Sequence, residues 1–379
     1  MSSDKSSFRG PHILISYRHI VSLALTLLLT QGIFGQQPGE QTPYSLCSTY
    51  VSDSGSIFAA TTVAGGAAIA EKGGRIRLVS ADTLDTVWST EVGGEVVSNV
   101  LGSGDSLYVV VNTASDEPRS RLRVLSIETG LIKSTYELAS SSSFLLSSAG
   151  EAVVIVPAGK APAVFSAGTR SQPGIFETWT ADDSFLFADK DRVLVASSNG
   201  RVRIVSLITG SIVAETLGSK GKAATALLTA GGRSVVGTGR GDIRAESIDT
   251  SGRSWAFKTG GAIVFLESFD GKILAASNDN FLYLFSEDSG RVIWRSRLPG
   301  RPSTGALLQN TTAAIAVLGE ERLLLIDLAN GKVLNSVGLE AGEEVQPGGI
   351  FEGEGGSLLL HTTRGIRAFA AGGGCSKKN

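Results

Sequence analysis

The sequence is poor in the side chains from which most catalytic and metal centres are built. Its 379 residues include two cysteines, one methionine and three histidines, and His361 is the one histidine that lies beyond the first 35 residues. A zinc site needs about four histidine, cysteine or carboxylate ligands, and a serine–histidine–aspartate triad needs a positioned histidine. We therefore expect no catalytic centre, bound metal or cofactor, and a protein that is not an enzyme.

Charge is also scarce. Only 18% of the residues are charged, which is below the usual quarter, and the formal net charge is -2. No long run of lysine or arginine occurs, so the sequence lacks the electrostatic footprint that is typical of nucleic-acid binding. The hydrophobic fraction of 42% suffices for a large core, which argues against disorder over most of the chain.

A long apolar run occurs near the N terminus, from Ile20 to Leu29, after a segment that contains Lys5, Arg9 and Arg18. A membrane-spanning helix needs about 20 apolar residues, so this run is too short for one and is typical of an export signal. Residues 1–35 are therefore predicted to be a signal peptide cleaved after Gly35, with an uncleaved anchor as the alternative. The mature protein would be periplasmic or extracellular, and peripheral to a membrane at most. Residues 36–43 are polar, contain two prolines and predict a linker.

From Tyr44 onward, a segment of two short β-rich runs joined by a turn returns about every 40 residues. No helical periodicity interrupts it. The turn glycine, or the residue in its place, marks eight copies: Leu84, Gly130, Gly168, Gly210, Gly252, Gly290, Gly331 and Gly372. The repeat therefore predicts eight similar structural units.

Each repeat is predicted to hold four strands, which in the fourth copy span residues 180–186, 193–197, 201–207 and 211–215. Asn199-Gly200 is a hairpin signal between the second and third of these. Four-stranded antiparallel sheets repeated radially are the blades of a β-propeller. The expected fold is all-β, with an eight-bladed propeller over residues 44–372 and a C-terminal tail over residues 373–379.

The two ends of this region favour a closed ring over an open solenoid. The last repeat ends before its fourth strand, and residues 44–51 supply an extra strand ahead of the first full repeat. If the N-terminal strand completes the last blade, the ring closes and no sheet edge is left between its ends. Cys47 would then lie beside Cys375, and in an exported protein such a pair predicts a disulfide. Two unpaired thiols are the alternative.

The repeat resembles the PQQ-like β-propeller family, whose blades carry the signature Gly-x-Leu-x-Ala-Leu-Asp-x-x-Thr-Gly-x-x-x-Trp. The match is clearest from Gly74 to Trp88, from Ile127 to Gly130, from Leu325 to Gly331 and from Ser289 to Trp294. Tryptophan stands at or next to the last signature position in three repeats: Trp88, Trp255 and Trp294. Three other repeats have a different residue there: Ser134, Ala214 and Asn335.

Within that family, the length and the export signal are similar to those of the BamB-type subunit of the outer-membrane protein assembly machinery. This resemblance implies a periplasmic scaffold that binds an envelope or secreted protein. The BamB type is a lipoprotein, whereas the segment Tyr44-Ser45-Leu46-Cys47 lacks the run of small residues expected directly before a lipidated cysteine. The alternative within the family is a sensory propeller that binds a small molecule or a glycan. A monomer is expected in either case.

Arginine recurs at one position on the third strand of five repeats: Arg77, Arg123, Arg203, Arg244 and Arg367. Propeller symmetry would place these side chains at one radius, near the hairpins between the second and third strands. Such an arc is a candidate site for an acidic partner segment or an anionic polymer. The alternative is structural, with each arginine lying between blades and pairing with an acid such as Glu71 or Asp242. Tyr283 and Leu324 interrupt the pattern in two other repeats.

Overall fold

The computed structural model describes residues 44–52, 56–113, 119–149, 152–157, 163–166, 169–171, 184–189, 192–197, 201–206, 211–217, 224–230, 232–247, 253–353, 357–371 and 375. The predicted signal peptide and linker lie outside these residues. All of the regular structure in them is β-strand, and the strands form eight antiparallel sheets. The all-β prediction is therefore confirmed. None of the described segments is a helix with the length and apolar character needed to cross a membrane.

The first four sheets follow one another along the chain. Sheet 1 contains β2 (Ile57–Val63), β3 (Gly66–Glu71), β4 (Arg75–Ser80) and β5 (Thr86–Glu91). Sheet 2 contains β6 (Glu95–Val96), β7 (Leu101–Ser103), β8 (Ser106–Thr113), β9 (Arg119–Ser126) and β10 (Ile132–Leu138). Sheet 3 contains β11 (Phe144–Ala149), β12 (Ala152–Pro157), β13 (Ala163–Ser166) and β14 (Thr169–Ser171). Sheet 4 contains β15 (Ser184–Asp189), β16 (Arg192–Ala196), β17 (Arg201–Ser206) and β18 (Ile212–Leu217).

The last four sheets continue the series, and the eighth contains both the first and the last of the described strands. Sheet 5 contains β19 (Ala224–Ala230), β20 (Arg233–Thr238), β21 (Asp242–Ser247) and β22 (Trp255–Lys258). Sheet 6 contains β23 (Ile263–Phe269), β24 (Lys272–Ser277), β25 (Phe281–Ser286) and β26 (Val292–Arg297). Sheet 7 contains β27 (Pro302–Leu308), β28 (Thr312–Val317), β29 (Arg322–Asp327) and β30 (Val333–Gly338). Sheet 8 contains β31 (Val345–Glu352), β32 (Leu358–Thr362), β33 (Gly365–Ala371) and the N-terminal strand β1 (Tyr44–Tyr50).

The position of a strand in its sheet explains its residue pattern. The second strands, such as β3 and β32, are buried along their whole length and consist mainly of small and branched apolar residues. The outermost strands alternate, as in β26, where Ile293, Arg295 and Arg297 are exposed between half-buried neighbours. Strands with both faces covered become continuously apolar, whereas a strand with one wet face keeps the period of two.

The apolar faces of successive sheets pack on one another. One core cluster joins Leu274 and Leu284 of sheet 6 to Ile315 and Leu324 of sheet 7, and comparable clusters join other neighbouring pairs. The first strands also contact one another in order, and β31 contacts both β27 and β2. Each sheet is therefore held mainly by its two neighbours in this series.

Packing against the preceding sheet explains why glycine recurs at the turn positions of the repeat. Leu84, Gly130, Gly290 and Gly331 all have positive φ angles, between 56° and 73°. A Cβ atom added at Gly130, Gly290 or Gly331 would lie within 2.7 Å of a tryptophan ring on the preceding sheet. The three tryptophans are Trp88, Trp255 and Trp294, and each donates from its indole nitrogen to a carbonyl next to that turn. The other four marks lie outside the described residues.

Leu84 shows why glycine is not needed in every copy. The residue of sheet 8 that corresponds to the tryptophan is Ser48, whose hydroxyl donates to the Thr83 carbonyl at 2.6 Å. With no indole ring above the turn, a side chain fits, and leucine accepts the left-handed backbone with φ of 56°.

Replacing Trp294 with phenylalanine should lower the free energy of unfolding by about 1 kcal/mol. The indole nitrogen donates to the Leu328 carbonyl at 3.0 Å, and the smaller ring would lose this hydrogen bond while keeping most of the contact with Gly331. Urea unfolding of the two proteins measures the difference. An equal stability would show that the hydrogen bond between the sheets does not contribute.

The predicted disulfide is present. Cys47 and Cys375 are bonded, with their Cα atoms 5.3 Å apart and a sequence separation of 328. Cys47 lies at a β-bulge, because the register of β1 on β33 shifts between Leu46 and Ser48. The same shift occurs in the outer strands of five other sheets, at Val87, Lys133, Val213, Ile293 and Leu334.

Candidate functional site

The five arginines that align in the sequence occupy the same register position on the third strand of their sheets. Each lies on the third strand of its sheet, directly opposite an apolar residue of the second strand: Ile69, Val109, Val195, Val236 and Leu360. They therefore share a face of their sheets and the end that carries the hairpin between the second and third strands. Their contacts at that end differ, and these contacts decide what each can do.

Arg77 is enclosed, with its side chain 12% exposed. Its Nε lies 3.3 Å from Oε1 of the fully buried Glu71, and its guanidinium lies over the Tyr50 ring at 5.8 Å from the centroid. Tyr50, at the end of β1, also donates its hydroxyl to Glu71 Oε1 at 3.0 Å. Arg77 therefore helps to hold sheet 8 against sheet 1.

Arg367 is the most deeply buried of the five, with its side chain 5% exposed. Its Nε lies 2.7 Å from Glu343 Oε1, and its Nη2 lies 2.7 Å from Glu340 Oε1. Thr362 donates its hydroxyl to the same Glu343 oxygen at 2.5 Å. The hydrogen bond from Arg367 and the charge of this arginine hold the pKa of Glu340 below its usual value, with a smaller contribution from Arg364. These residues fasten the loop that enters sheet 8.

Arg123 makes the same kind of contact in sheet 2. Its Nε donates to the Val92 carbonyl at 3.0 Å, in the loop that enters that sheet, and its Nη1 donates to Thr135 at 2.7 Å. Burial lowers the pKa of Arg123, and the charge of Arg121 acts in the same direction. The guanidinium is thus engaged in holding the incoming loop.

Arg203 and Arg244 contact residues close to them in the chain. Arg203 donates to the Ser197 hydroxyl at 2.8 Å. The Arg244 side chain is 43% exposed and lies 4.0 Å from Glu246. Asp242, which the sequence analysis named as a possible arginine partner, pairs with Lys258 at 3.5 Å.

Tyr283 takes the arginine position in sheet 6 and does similar work. Its hydroxyl donates to Asp279 Oδ2 at 2.8 Å, and the same oxygen accepts from the Gly260 amide in the loop that enters the sheet. Burial and Asp279 together raise the pKa of Tyr283 to about 12, so the phenol stays protonated as a donor. Support of the incoming loop is therefore shared by Arg123, Arg367 and Tyr283, so either arginine or tyrosine can provide it at this position.

A polar cavity of about 260 Å³ lies at the junction of sheets 8 and 1. Its lining includes Ser52, Ser56, Gln346, His361 and Arg364. Arg364 also pairs with Glu340. The cavity thus offers hydroxyl, amide, imidazole and guanidinium groups between sheets 8 and 1.

His361 is the buried titratable group of this cavity. Burial lowers its pKa below the ordinary value of 6.5. The folded protein therefore binds a proton at His361 less readily than the unfolded chain, and stability must fall as the pH drops from above 6.5 through the lowered pKa. Sequence reasoning assigned this histidine a structural role, and its burial is consistent with that role.

We expect His361→Gln to weaken the loss of thermal stability on acidification. Glutamine is polar and cannot titrate, so the slope of the melting temperature against pH below 6.5 should decrease. The variant and the parent are compared by melting curves in a series of buffers. An unchanged slope would assign the acid sensitivity to other groups.

Metal chemistry finds no support in the described part of the chain, where no group of three or more histidine, cysteine, aspartate or glutamate side chains is placed to hold an ion. The two cysteines of the chain, Cys47 and Cys375, are bonded to each other.

Comparison with solved structures identifies the class of fold. The chain superposes on the computationally designed Ika8 protein with a TM-score of 0.65 and 16% identity, covering 86% of this chain and 99% of that one. BamB from Moraxella catarrhalis gives a TM-score of 0.64 and 15% identity, covering 86% and 97%. The C-terminal WD40 domain of Sif2 gives 0.69 and 14%, covering 86% and 98%. At these identities the likeness shows the fold alone, which is that of a β-propeller.

The family is indicated by the sequence itself. Residues 198–348 match the model of the family described as outer membrane protein assembly factor BamB. The resemblance to PQQ-like and BamB-type propellers is therefore confirmed over these residues. No curated protein matches the chain significantly.

Proposed function

We propose that this chain is an exported propeller with eight blades, closed into one ring by β1, and that it acts as a non-catalytic scaffold for a partner protein in the cell envelope. The observation that carries the proposal is the junction at sheet 8. There the N-terminal strand pairs with β33, β31 contacts both β27 and β2, and a disulfide links the two chain ends. A ring fastened in this way is a rigid platform, which suits binding of another protein better than a mechanism that needs moving parts.

Two further observations support an envelope location. A disulfide persists in oxidising compartments and is rare in the cytosol. The matched family is described as an outer membrane protein assembly factor. By analogy with that description, we expect this chain to bind a partner protein and not to convert a substrate. Fold alone does not give function, so the partner must be established directly.

Under this proposal, the five aligned arginines differ in whether they are engaged within the fold or available to a partner. Arg77, Arg123 and Arg367 are committed to the junctions between sheets, so their replacement tests folding as much as binding. Arg244 keeps an exposed head and remains a candidate contact for an acidic partner. Arg203 donates to the Ser197 hydroxyl beside the second strand of its own sheet. A partner-binding role for these residues stays a prediction.

Affinity capture tests the proposal. The full chain with a C-terminal tag is expressed at native level in its own organism, and the captured material is analysed by mass spectrometry. We expect a mature N terminus at Gln36 and one exported or outer-membrane protein in amounts comparable to the bait. Retention of the chain in the cytosol, or a bait without such a protein after mild cross-linking, would contradict the proposal.

A ligand-binding propeller is the second candidate, and the cavity between sheets 8 and 1 is the observation that favours it. Its volume of about 260 Å³ and its mixed donors and acceptors suit a small polar molecule or a sugar unit. A ligand that binds only the folded state raises the melting temperature by mass action. A thermal-shift screen of sugars and small acids, repeated with Gln346→Leu, distinguishes this candidate, because specific stabilisation should disappear in the variant.

A further inference from the structure

Sheet 6 reverses the placement of arginine between its two outer strands. In sheets 1 and 2 the third strand carries an arginine and the fourth strand carries its acid, as in Arg75 with Glu91 at 2.5 Å and Arg121 with Glu137 at 2.8 Å. The corresponding pair in sheet 6 is Phe281 opposite Arg297. The cation has therefore moved to the outermost strand, and its acid is missing.

The next pair along the same strands repeats the reversal. Where sheets 1 and 2 place Arg77 and Arg123 on the third strand, sheet 6 places Tyr283, and the residue opposite it on β26 is Arg295. The Arg295 guanidinium lies over the Phe281 ring, 5.4 Å from its centroid. An aromatic ring has thus replaced a carboxylate as the neighbour of the cation, which leaves its charge uncompensated.

Arg295 and Arg297 are both exposed, and the described residues contain no acidic partner for either of them. Arg301, in the loop that follows β26, is likewise exposed and unpaired among these residues. In sheet 5, by contrast, Lys258 of the outer strand is paired with Asp242. The outer strand of sheet 6 is therefore locally basic in a chain whose formal net charge is -2.

The backbone of β26 is arranged to accept another strand. It is the last strand in its sheet and pairs only with β25. The Leu298 amide donates to the Asn280 carbonyl, and inward-bonded residues alternate along an antiparallel ladder, so Ser296 and Trp294 also bond inward. The amide and carbonyl groups of Arg295 and Arg297 therefore face the open edge, on the same two residues that carry the exposed cations.

From these observations we propose that β26 is a docking edge for an extended acidic segment of a partner protein, which adds to sheet 6 as a fifth strand. The proposal rests on the scaffold function proposed above and specifies where the partner binds. An added strand would bond to the outward backbone groups of Arg295 and Arg297, and its residues opposite them would lie on the same face of the sheet. Two acidic side chains separated by one residue would meet the two guanidinium groups, about 7 Å apart.

The backbone contribution selects a peptide over other anions. An acidic polysaccharide would satisfy the charges of Arg295 and Arg297 but not the alternating donors and acceptors of the strand edge. A peptide strand satisfies both. The bulge at Ile293 disturbs the ladder at the other end of β26, so the docking length is short and the expected affinity is modest.

The test uses the mature chain and a dye-labelled peptide of about ten residues. Valine and aspartate alternate in the peptide, so that two central aspartates are separated by one valine. Binding is measured by fluorescence anisotropy up to millimolar protein. Arg295→Glu with Arg297→Glu should weaken binding by at least about tenfold. The matched control, Arg253→Glu with Arg291→Glu, makes the same charge change at exposed turn positions and should leave binding close to that of the parent. Unchanged melting temperatures verify the fold.

Two modified ligands test strand addition itself. Methylation of the peptide amides that face β26 should abolish binding, whereas methylation of the alternate amides should not. Asparagine in place of aspartate should weaken binding in the parent and not in the glutamate variant. The proposal is overturned if no peptide binds, if both methylated peptides bind equally, or if an acidic polysaccharide binds to the arginines while the peptide does not.

Failure here is distinguishable from failure of the scaffold function. If affinity capture recovers the same partner with the parent and with the Arg295→Glu and Arg297→Glu variant, the scaffold function stands and the docking edge lies elsewhere. If neither protein captures a partner, the scaffold function itself falls.

Discussion

Replacing Cys47 and Cys375 together with serine should lower the free energy of unfolding by about 2 to 5 kcal/mol. The disulfide closes a loop with a sequence separation of 328, so its loss releases an unusually long constraint on the unfolded chain. It also leaves β1 held by its pairing with β33 in sheet 8 and by side-chain contacts such as that of Tyr50 with Glu71 of sheet 1. Urea unfolding, read out by tryptophan fluorescence, measures the change.

Reduction of the parent protein is the matched control for the serine substitutions. Under reducing conditions its unfolding curve should coincide with that of the double serine variant, and the variant itself should not respond to the reductant. Equal stability of the oxidised and reduced forms would contradict the view that the ends of the chain are fastened at this point.

Replacing Arg367 with methionine should cost about 3 to 5 kcal/mol of stability. The Glu343 side chain that it contacts at 2.7 Å is fully buried, and without Arg367 its negative charge would be left with uncharged donors, the Thr362 hydroxyl and the Glu340 amide. Removing one member of a buried ion pair is strongly destabilising because the other charge cannot regain its water. The expected outcome is a large shift of the urea midpoint toward lower concentration.

Two further variants separate charge from packing in this case. Adding Glu343→Gln to Arg367→Met should restore much of the lost stability, because no uncompensated charge is left. Arg244→Met, at the same register position in sheet 5 but with a 43% exposed side chain, should change stability by no more than about 0.5 kcal/mol. Equal effects of the two arginine substitutions would show that burial does not distinguish them.

The sequence sufficed to predict the strands and the turns because these follow from local chemistry. In sheet 4, four strands were predicted and four occur, and residues 180–183 of the predicted first strand lie outside the described residues. The turn glycines were found for the same reason, since a positive φ angle and a tryptophan ring both select glycine at Gly290 and Gly331. The disulfide followed from the pairing of the first strand with the last.

The contacts of Arg123 and Arg367 were beyond sequence reasoning because their partners come from loops distant in the chain. Arg123 bonds to Val92, and Arg367 pairs with Glu343, in each case in the loop that enters the sheet. Loop conformation is not encoded in a periodic pattern, so the alignment of the arginines was evident and their engagement was not. The other three arginines contact residues close to them in the chain: Glu71 for Arg77, Ser197 for Arg203 and Glu246 for Arg244.

The residues that form the basic edge of sheet 6 are visible in the sequence, but their arrangement can be interpreted only once the strand register is known. Tyr283 interrupts the arginine pattern on the third strand, and Arg295 and Arg297 follow on the fourth. Two arginines on a strand do not indicate a basic surface until the residues opposite them are known. Here Tyr283 and Phe281 lie opposite them, and neither is acidic. The exchange between adjacent strands therefore became visible only with the pairing.

The most direct test of the central claim, that this chain works by holding another protein, is the mass of the assembly it forms. Native mass spectrometry of the tagged chain, purified gently from the envelope of its own organism, reads that mass whatever the partner is. We expect a species that exceeds the mature chain by the mass of one defined protein and that dissociates at high salt. A species with the mass of the mature chain alone, or of that chain with a small molecule, would contradict the scaffold function.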